Sequence, residues 1–309
     1  MLVIEKNKIE ELVKELAKKT NLVDVRKDVL PFKQYFFSPS EETFSFDKNK
    51  SKIAPTKKEK EFVVFGLNLR DTEALVQLDE IMKRPQEDSF YFQKRNKATI
   101  ISIINERGHM PHVGIDLIIE RISNNEYKAL ALTKKGRKIT ENNFFKERKI
   151  NSDSTEIKKD ETSELGKMLL NPELLRDVIT WSWKNYPKIW GELGEKCLGC
   201  GICTYVCPLC HCFSMEDTCE LTGAKCSRTR KWTACTLPEF AQITGGHDFH
   251  PTIKERYYNW FYHKFVRAYN EHGKSQCVAC GRCKKHCPAG IDIEKVLLEI
   301  VNNFQKSSQ

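Results

Sequence analysis

Residues 197–208 read Cys197-Leu198-Gly199-Cys200-Gly201-Ile202-Cys203-Thr204-Tyr205-Val206-Cys207-Pro208. Residues 277–288 read Cys277-Val278-Ala279-Cys280-Gly281-Arg282-Cys283-Lys284-Lys285-His286-Cys287-Pro288. Both have the spacing C-x2-C-x2-C-x3-C-P, which holds [4Fe-4S] clusters. Three thiolates two residues apart let a tight loop wrap one corner of a cube, with each sulfur meeting a different iron. Gly201 and Gly281 let the backbone pass close to the cluster, where amide N–H groups can donate to sulfide. Pro208 and Pro288 end each run and turn its fourth cysteine away from the first three. A structural zinc ribbon would need C-x2-C pairs alone, so the doubled four-cysteine run points to iron and sulfur.

In two-cluster ferredoxins the fourth cysteine of such a run serves the other cluster. The expected ligand sets are therefore Cys197, Cys200, Cys203 and Cys287 for one cluster, and Cys277, Cys280, Cys283 and Cys207 for the other. All thirteen cysteines lie between Cys197 and Cys287. A disulfide-stapled secreted protein would not confine them to one third of its length, and metal in a reducing compartment is the better reading. Five cysteines remain: Cys210, Cys212, Cys219, Cys226 and Cys235. Their spacings match no ligand pattern, which leaves buried structural thiols or a third metal site as their alternatives.

Outward from the runs, much of the insertion 208–276 reads as helix. Ile253, Tyr257, Trp260, Phe261 and Phe265 share one face, with Gly273 as a C-terminal stop. Ile293, Val296, Leu297, Ile300, Val301 and Phe304 mark a closing helix with Asp292 as its cap. Residues 165–190, with Trp181, Trp183 and Trp190, read as helices that lead into the cysteine region, and the tryptophans as interdomain packing. The expectation for 166–309 is an α-helical ferredoxin-type domain carrying two [4Fe-4S] clusters.

Residues 1–140 read as an N-terminal α/β-layer domain, which makes the whole chain α+β. Ile9, Leu12, Val13, Leu16 and Ala17 have helical spacing. Leu30-Pro31-Phe32 and Tyr35-Phe36-Phe37 look extended, and Phe44–Phe46 alternates as a short strand. Phe62–Gly66 and Thr99–Ile104 have the composition of buried strands, and Tyr127–Leu132 alternates as another. Asp71 can cap a helix bearing Ala74, Leu75, Leu78, Ile81 and Met82, while Lys135-Gly136-Arg137 looks like a turn. Residues 141–165 are poor in large apolar side chains and read as a polar linker.

The length of 309 residues suits about two domains. The net charge of +9 is spread, with 15 basic and 12 acidic residues from position 191 onward and 36 against 30 before it. Alternating signs without a basic stripe argue against nucleic acid. Mean hydropathy is −0.53, and no apolar run approaches the ~20 residues of a membrane span. The opening Met1-Leu2-Val3-Ile4 meets Glu5 and Lys6 at once, without a signal-peptide core. A cytoplasmic protein without membrane insertion is expected.

The run CLGCGICTYVCPLCHC (197–212) precedes Trp232-Thr233-Ala234-Cys235 and Thr244-Gly245-Gly246-His247-Asp248-Phe249. Tyr262-His263-Lys264-Phe265 and the second cysteine run follow. This series resembles the β subunit of cytoplasmic [NiFe] sulfhydrogenases and is similar to the corresponding dicluster subunit of anaerobic sulfite reductase. The resemblance is specific over 190–300 and weaker over 36–140. It implies a non-catalytic electron-transfer subunit with two [4Fe-4S] clusters and no flavin of its own. The implied partners are a flavoprotein subunit that handles the nicotinamide cofactor and a metal-containing catalytic subunit. The alternatives are an electron-transfer subunit of sulfite reductase or a stand-alone redox sensor. Family members tend to carry cysteines in the N-terminal domain; here Leu69-Arg70-Asp71 and Asn105–His112 hold none, and His109 and His112 read as solvated loop histidines. His247 reads as a residue whose hydrogen bond fixes its loop.

Overall fold

The computed structural model describes residues 1–48, 52–55, 59–106, 111–148 and 163–307. Positions 149–162 of the expected linker, and His109, lie outside these residues. The first strands are β1 (Leu2–Glu5), β2 (Leu22–Asp24), β3 (Ser40–Asp47), β4 (Lys52–Pro55), β5 (Phe62–Leu67) and β6 (Ala98–Ile104). They are followed by β7 (Leu117–Arg121), β8 (Glu126–Ala131), β9 (Lys146–Glu147), β10 (Phe213–Cys219) and β11 (Lys225–Trp232).

The chain divides into two compact units. One comprises Met1–Phe36 and Lys58–Glu161, the other Phe37–Lys57 and Thr162–Gln309. The first is built on a mixed sheet of order β2-β5-β6-β7-β8-β1-β9. Strands β2, β5, β6 and β7 run parallel, and β8, β1 and β9 add antiparallel pairs. All six residues of β5 are buried, as expected of an interior parallel strand. The helix Lys6–Lys19 sets Ile9, Leu12 and Leu16 into one core with Val63, Phe65, Ile101 and Leu117. The helix Leu69–Lys83 starts at Asn68, whose side chain accepts from the Asp71 amide at 2.9 Å. Asp71 thus lies in the first turn instead of capping it. Two local expectations are also corrected: Lys134–Thr140 is a helix opened by the Thr133 side chain, and Phe32–Tyr35 is a 3-10 turn.

The second unit carries an antiparallel sheet of order β10-β11-β3-β4. This differs from the expected division at 1–140, 141–165 and 166–309. The segment 37–57 joins the cysteine-rich part of the chain because β3 pairs with β11 from Ser40↔Lys231 to Asp47↔Lys225. The cysteine-rich unit is also not purely helical, since the β10–β11 hairpin occupies part of the insertion expected to be helix.

The rest of the unit is helical: Glu164–Met168, Pro172–Asn185, Pro187–Lys196, Ile253–Phe261 and Ile293–Ser307. Leu175, Ile179, Trp190, Phe261, Phe265 and Leu297 sit in its core. Trp190 is fully buried and donates from Nε1 to Ser182 Oγ at 3.2 Å. Trp183 lies 4.4 Å from Tyr258 and Trp181 5.4 Å from Phe304, centroid to centroid. These tryptophans pack inside the second unit, where the expectation was interdomain packing. Thr252 and Glu255 form a capping box at the start of Ile253–Phe261. That helix widens into a π-helical turn over Tyr262–Arg267 and closes through Ala268–His272 at Gly273, φ 67°. The wider turn buries three successive residues, Lys264, Phe265 and Val266, which a regular amphipathic helix would not do. Among the described residues, no helix is long and apolar enough to cross a membrane.

Candidate metal centre

Each cysteine run folds as a loop followed by one short helical turn, Ile202–Tyr205 in the first and Arg282–Lys285 in the second. The backbone repeats between them. Gly199 and Ala279 both have positive φ, 63° and 53°, and so do Gly201 and Gly281, 75° and 72°. Alternating left-handed residues turn successive amides toward one side and make a concavity for negative charge. At Ala279 this conformation is held by a residue with a side chain, where the first run uses glycine.

The runs meet in two cavities. One is lined by Cys197, Cys200, Cys203 and Cys287, with Tyr257 on its wall. The other is lined by Cys207, Cys277, Cys280 and Cys283, with Lys264 on its wall. Each cavity thus combines three cysteines of one run with the fourth of the other. Amides face the sulfurs: Gly199 N lies 3.5 Å from Cys197 Sγ, and Ile291 N 3.3 Å from Cys287 Sγ. In the second cavity the amides of Ala279 and Arg282 donate to Cys277 and Cys280.

Among the described residues, no three His, Cys, Asp or Glu side chains converge to hold a single metal ion. Each set of four cysteines lines a cavity of its own, and four thiolates per site is the ligand count of a [4Fe-4S] cluster. Burial raises the thiols, Cys203 to about 12 and Cys277 to about 11, with Cys197, Cys280 and Cys283 also shifted upward. Iron binds thiolate, so filling either cavity must expel these protons.

Lys264 is the charged residue at the centre of this region, 3% exposed. Its Nζ lies 3.2 Å from Cys207 Sγ, donates to Gln276 O at 3.3 Å, and sits 5.0 Å from the centroid of Trp260. Burial opposes the charge, but the sulfurs of Cys207, Cys210, Cys277 and Cys283 outweigh it and hold the ammonium well above its usual range. Gln276 returns the contact, its amide donating to Lys264 O at 2.7 Å and its side chain to Leu209 O at 2.6 Å. In the sequence Lys264 stands out only as part of the Tyr262–Phe265 motif; its burial against sulfur comes with the π turn.

The five other cysteines separate into two groups. Cys210 and Cys235 are buried thiols, hydrogen-bonded to Cys207 and Cys212 respectively. Cys219 and Cys226 form a disulfide across β10 and β11, so for this pair the expectation of reduced, buried thiols is corrected. His112 is exposed. His247 is exposed too; its carbonyl accepts from Ile243 N at 2.9 Å, so the backbone fixes this loop, while the ring rests 4.9 Å from Phe249.

His263, next to Lys264, is lowered to about 4, first by burial and then by Arg267, His211 and His250. The unfolded chain takes up this proton near pH 6.5, before the folded one does. Stability from His263 is therefore complete above about 6.5 and falls by about 1.4 kcal/mol per pH unit below it, until about 4. Anaerobic urea unfolding at pH 6.0, 5.5 and 5.0 should show His263→Gln losing most of this slope; an unchanged slope would refute the assignment.

Residues 196–291 match the family model of the 4Fe-4S dicluster domain. Over 294 residues the chain is 28% identical to sulfhydrogenase 2 subunit beta of Pyrococcus furiosus, an alignment that covers 90% of this chain and 85% of that subunit. No solved structure matches. The resemblance to hydrogenase-related iron–sulfur subunits is thus supported, and it extends across the N-terminal part of the chain.

Proposed function

We propose that this chain is the electron-transfer subunit of a multisubunit, hydrogenase-type oxidoreductase. It would pass single electrons from a flavin- or ferredoxin-linked subunit to a metal-containing catalytic subunit, or the reverse. The observation that carries this reading is the pair of cavities, each lined by three cysteines of one run and the fourth of the other. We assign Cys197, Cys200, Cys203 and Cys287 to one [4Fe-4S] cluster, and Cys277, Cys280, Cys283 and Cys207 to the second. A [4Fe-4S] cluster supplies one-electron oxidation and reduction. The chain's own residues provide the rest. Eight thiolates would hold the iron, inward amides would stabilise charge on sulfur, and Trp260, Phe261 and Leu297 lie in the apolar core against which the cysteines pack. The relative's name favours a hydrogenase-type partner over sulfite reductase. The cytoplasm fits thiolate ligands that must stay reduced.

Anaerobically purified chain is expected to hold about eight irons, four for each of two clusters. It should exchange single electrons with artificial dyes and show no turnover of hydrogen, sulfite or NAD(P)H alone. About two zinc ions in place of iron would refute the reading. Anaerobic co-purification with a flavoprotein and a large metal-containing subunit would support the complex, whereas a stable oligomer of this chain alone would favour a sensor.

A further inference from the structure

The two cavities are alike in sulfur and in backbone but not in charge. Lys264 touches the fourth cysteine of the second set, Cys207, at 3.2 Å. Its charge also acts on Cys277 and Cys283 of the same set. In the first set it acts on Cys203. The first cavity has Tyr257 on its wall where the second has Lys264. Arg256 reaches Cys197 with its charge, but its N–H groups donate to the carbonyls of Thr236, His250 and Pro251 at 3.1, 3.2 and 2.7 Å. The buried ammonium therefore touches a sulfur of the second set and lines that cavity, and it is not among the residues lining the first.

We propose that Lys264 makes the second site, Cys207 with Cys277, Cys280 and Cys283, the higher-potential of the two, so that a single electron on this chain rests there. The proposal depends on the two-cluster reading above. Adding an electron to either site adds negative charge to its sulfurs, and a fixed positive charge favours that state more where it is closer. Because Lys264 is buried beside the sulfur, salt screens it little. The electron that reduces the second site leaves the first, so the redistribution needs no outside reductant. Lys264 is in this sense a positioning residue: it sets the second site as the place where a single electron rests.

The test is a potentiometric titration of the full chain followed by EPR, with iron measured on each sample. Wild-type protein should show two couples whose occupancies differ at least tenfold at equilibrium, 59 mV for one electron. The higher couple should be the one that Cys207→Ser removes or alters. Lys264→Met should lower both potentials and cut the preference for the second site at least tenfold, while Lys264→Arg, which keeps the charge, should preserve most of it. Equal wild-type potentials, or a higher couple that answers to Cys287→Ser, would overturn the proposal even if Lys264→Met fails to load iron. A parallel shift of both couples in Lys264→Met would overturn it as well. Wild-type chain without two four-iron clusters would instead overturn the function proposed above, and the two failures are told apart by iron content.

Discussion

Replacing Cys207 by serine is expected to remove or convert one cluster and leave the other intact. The affected cluster should be the one held by a run that begins seventy residues later in the chain. Cys207 lines the cavity of Cys277, Cys280 and Cys283, and Cys287 lines that of Cys197, Cys200 and Cys203. Loss of the fourth thiolate leaves one iron without a protein ligand, so iron should fall from about eight toward about four per chain, or about one iron should be lost if a three-iron cluster survives. Cys287→Ser should do the reciprocal. EPR reads the assignment when each variant is compared with one from the opposite run: Cys207→Ser must lose the signal that Cys280→Ser loses, and Cys287→Ser the signal that Cys200→Ser loses. Cys219→Ser is the control, because its disulfide with Cys226 lies on the hairpin and lines neither cavity; both signals should persist. If each fourth cysteine served its own run, the ligand sets would be wrong.

The sequence makes this site legible because cluster ligation imposes a short, strict spacing. The glycines at 201 and 281 follow from the same constraint, and both adopt a left-handed backbone, φ 75° and 72°. The buried strands at 62–67 and 98–104 are legible for a different reason, since parallel strands covered on both faces are apolar almost throughout. The β10–β11 hairpin is not. Phe213–Cys219 is exposed along nearly its whole length, and Lys225–Trp232 is dominated by charged and small polar residues, so neither carries the apolar alternation that marks a strand. The placement of residues 37–57 is illegible in a stronger sense, because it depends on pairing with a strand about 185 residues away, as in the Thr43 hydroxyl donating to Arg228 O. Lys264 shows the same limit at one residue. A lysine between aromatics on a helix normally extends its amine to solvent, and only the π turn and the neighbouring sulfurs make burial of its charge the outcome.

Charge burial also governs the last expected result, at the sheet that joins the early segment to the cysteine-rich unit. Arg230 on β11 and Glu41 on β3 form an ion pair at 2.6 Å, with side chains 5% and 10% exposed. The guanidinium also lies 4.7 Å from the centroid of Phe37 and 5.5 Å from that of Phe213. Glu41→Ala leaves the arginine charge buried without this carboxylate and should cost about 3–5 kcal/mol, the range for breaking a buried pair from one side. Anaerobic denaturant unfolding measures the loss, and hydrogen exchange should quicken along Ser40–Asp47 and Lys225–Trp232 first, because the pair ties those strands together. Neither residue lines a cysteine cavity, so iron should stay near the wild-type value while stability falls. Desolvating the two charges is itself unfavourable, and the double change Glu41→Leu with Arg230→Met should therefore recover most of what the single change loses. A single variant as stable as wild type would mean that the pair is solvated in solution. A double variant no better than Glu41→Ala would mean that this sheet depends on the charge itself, through the rings of Phe37 and Phe213, and not on the pairing.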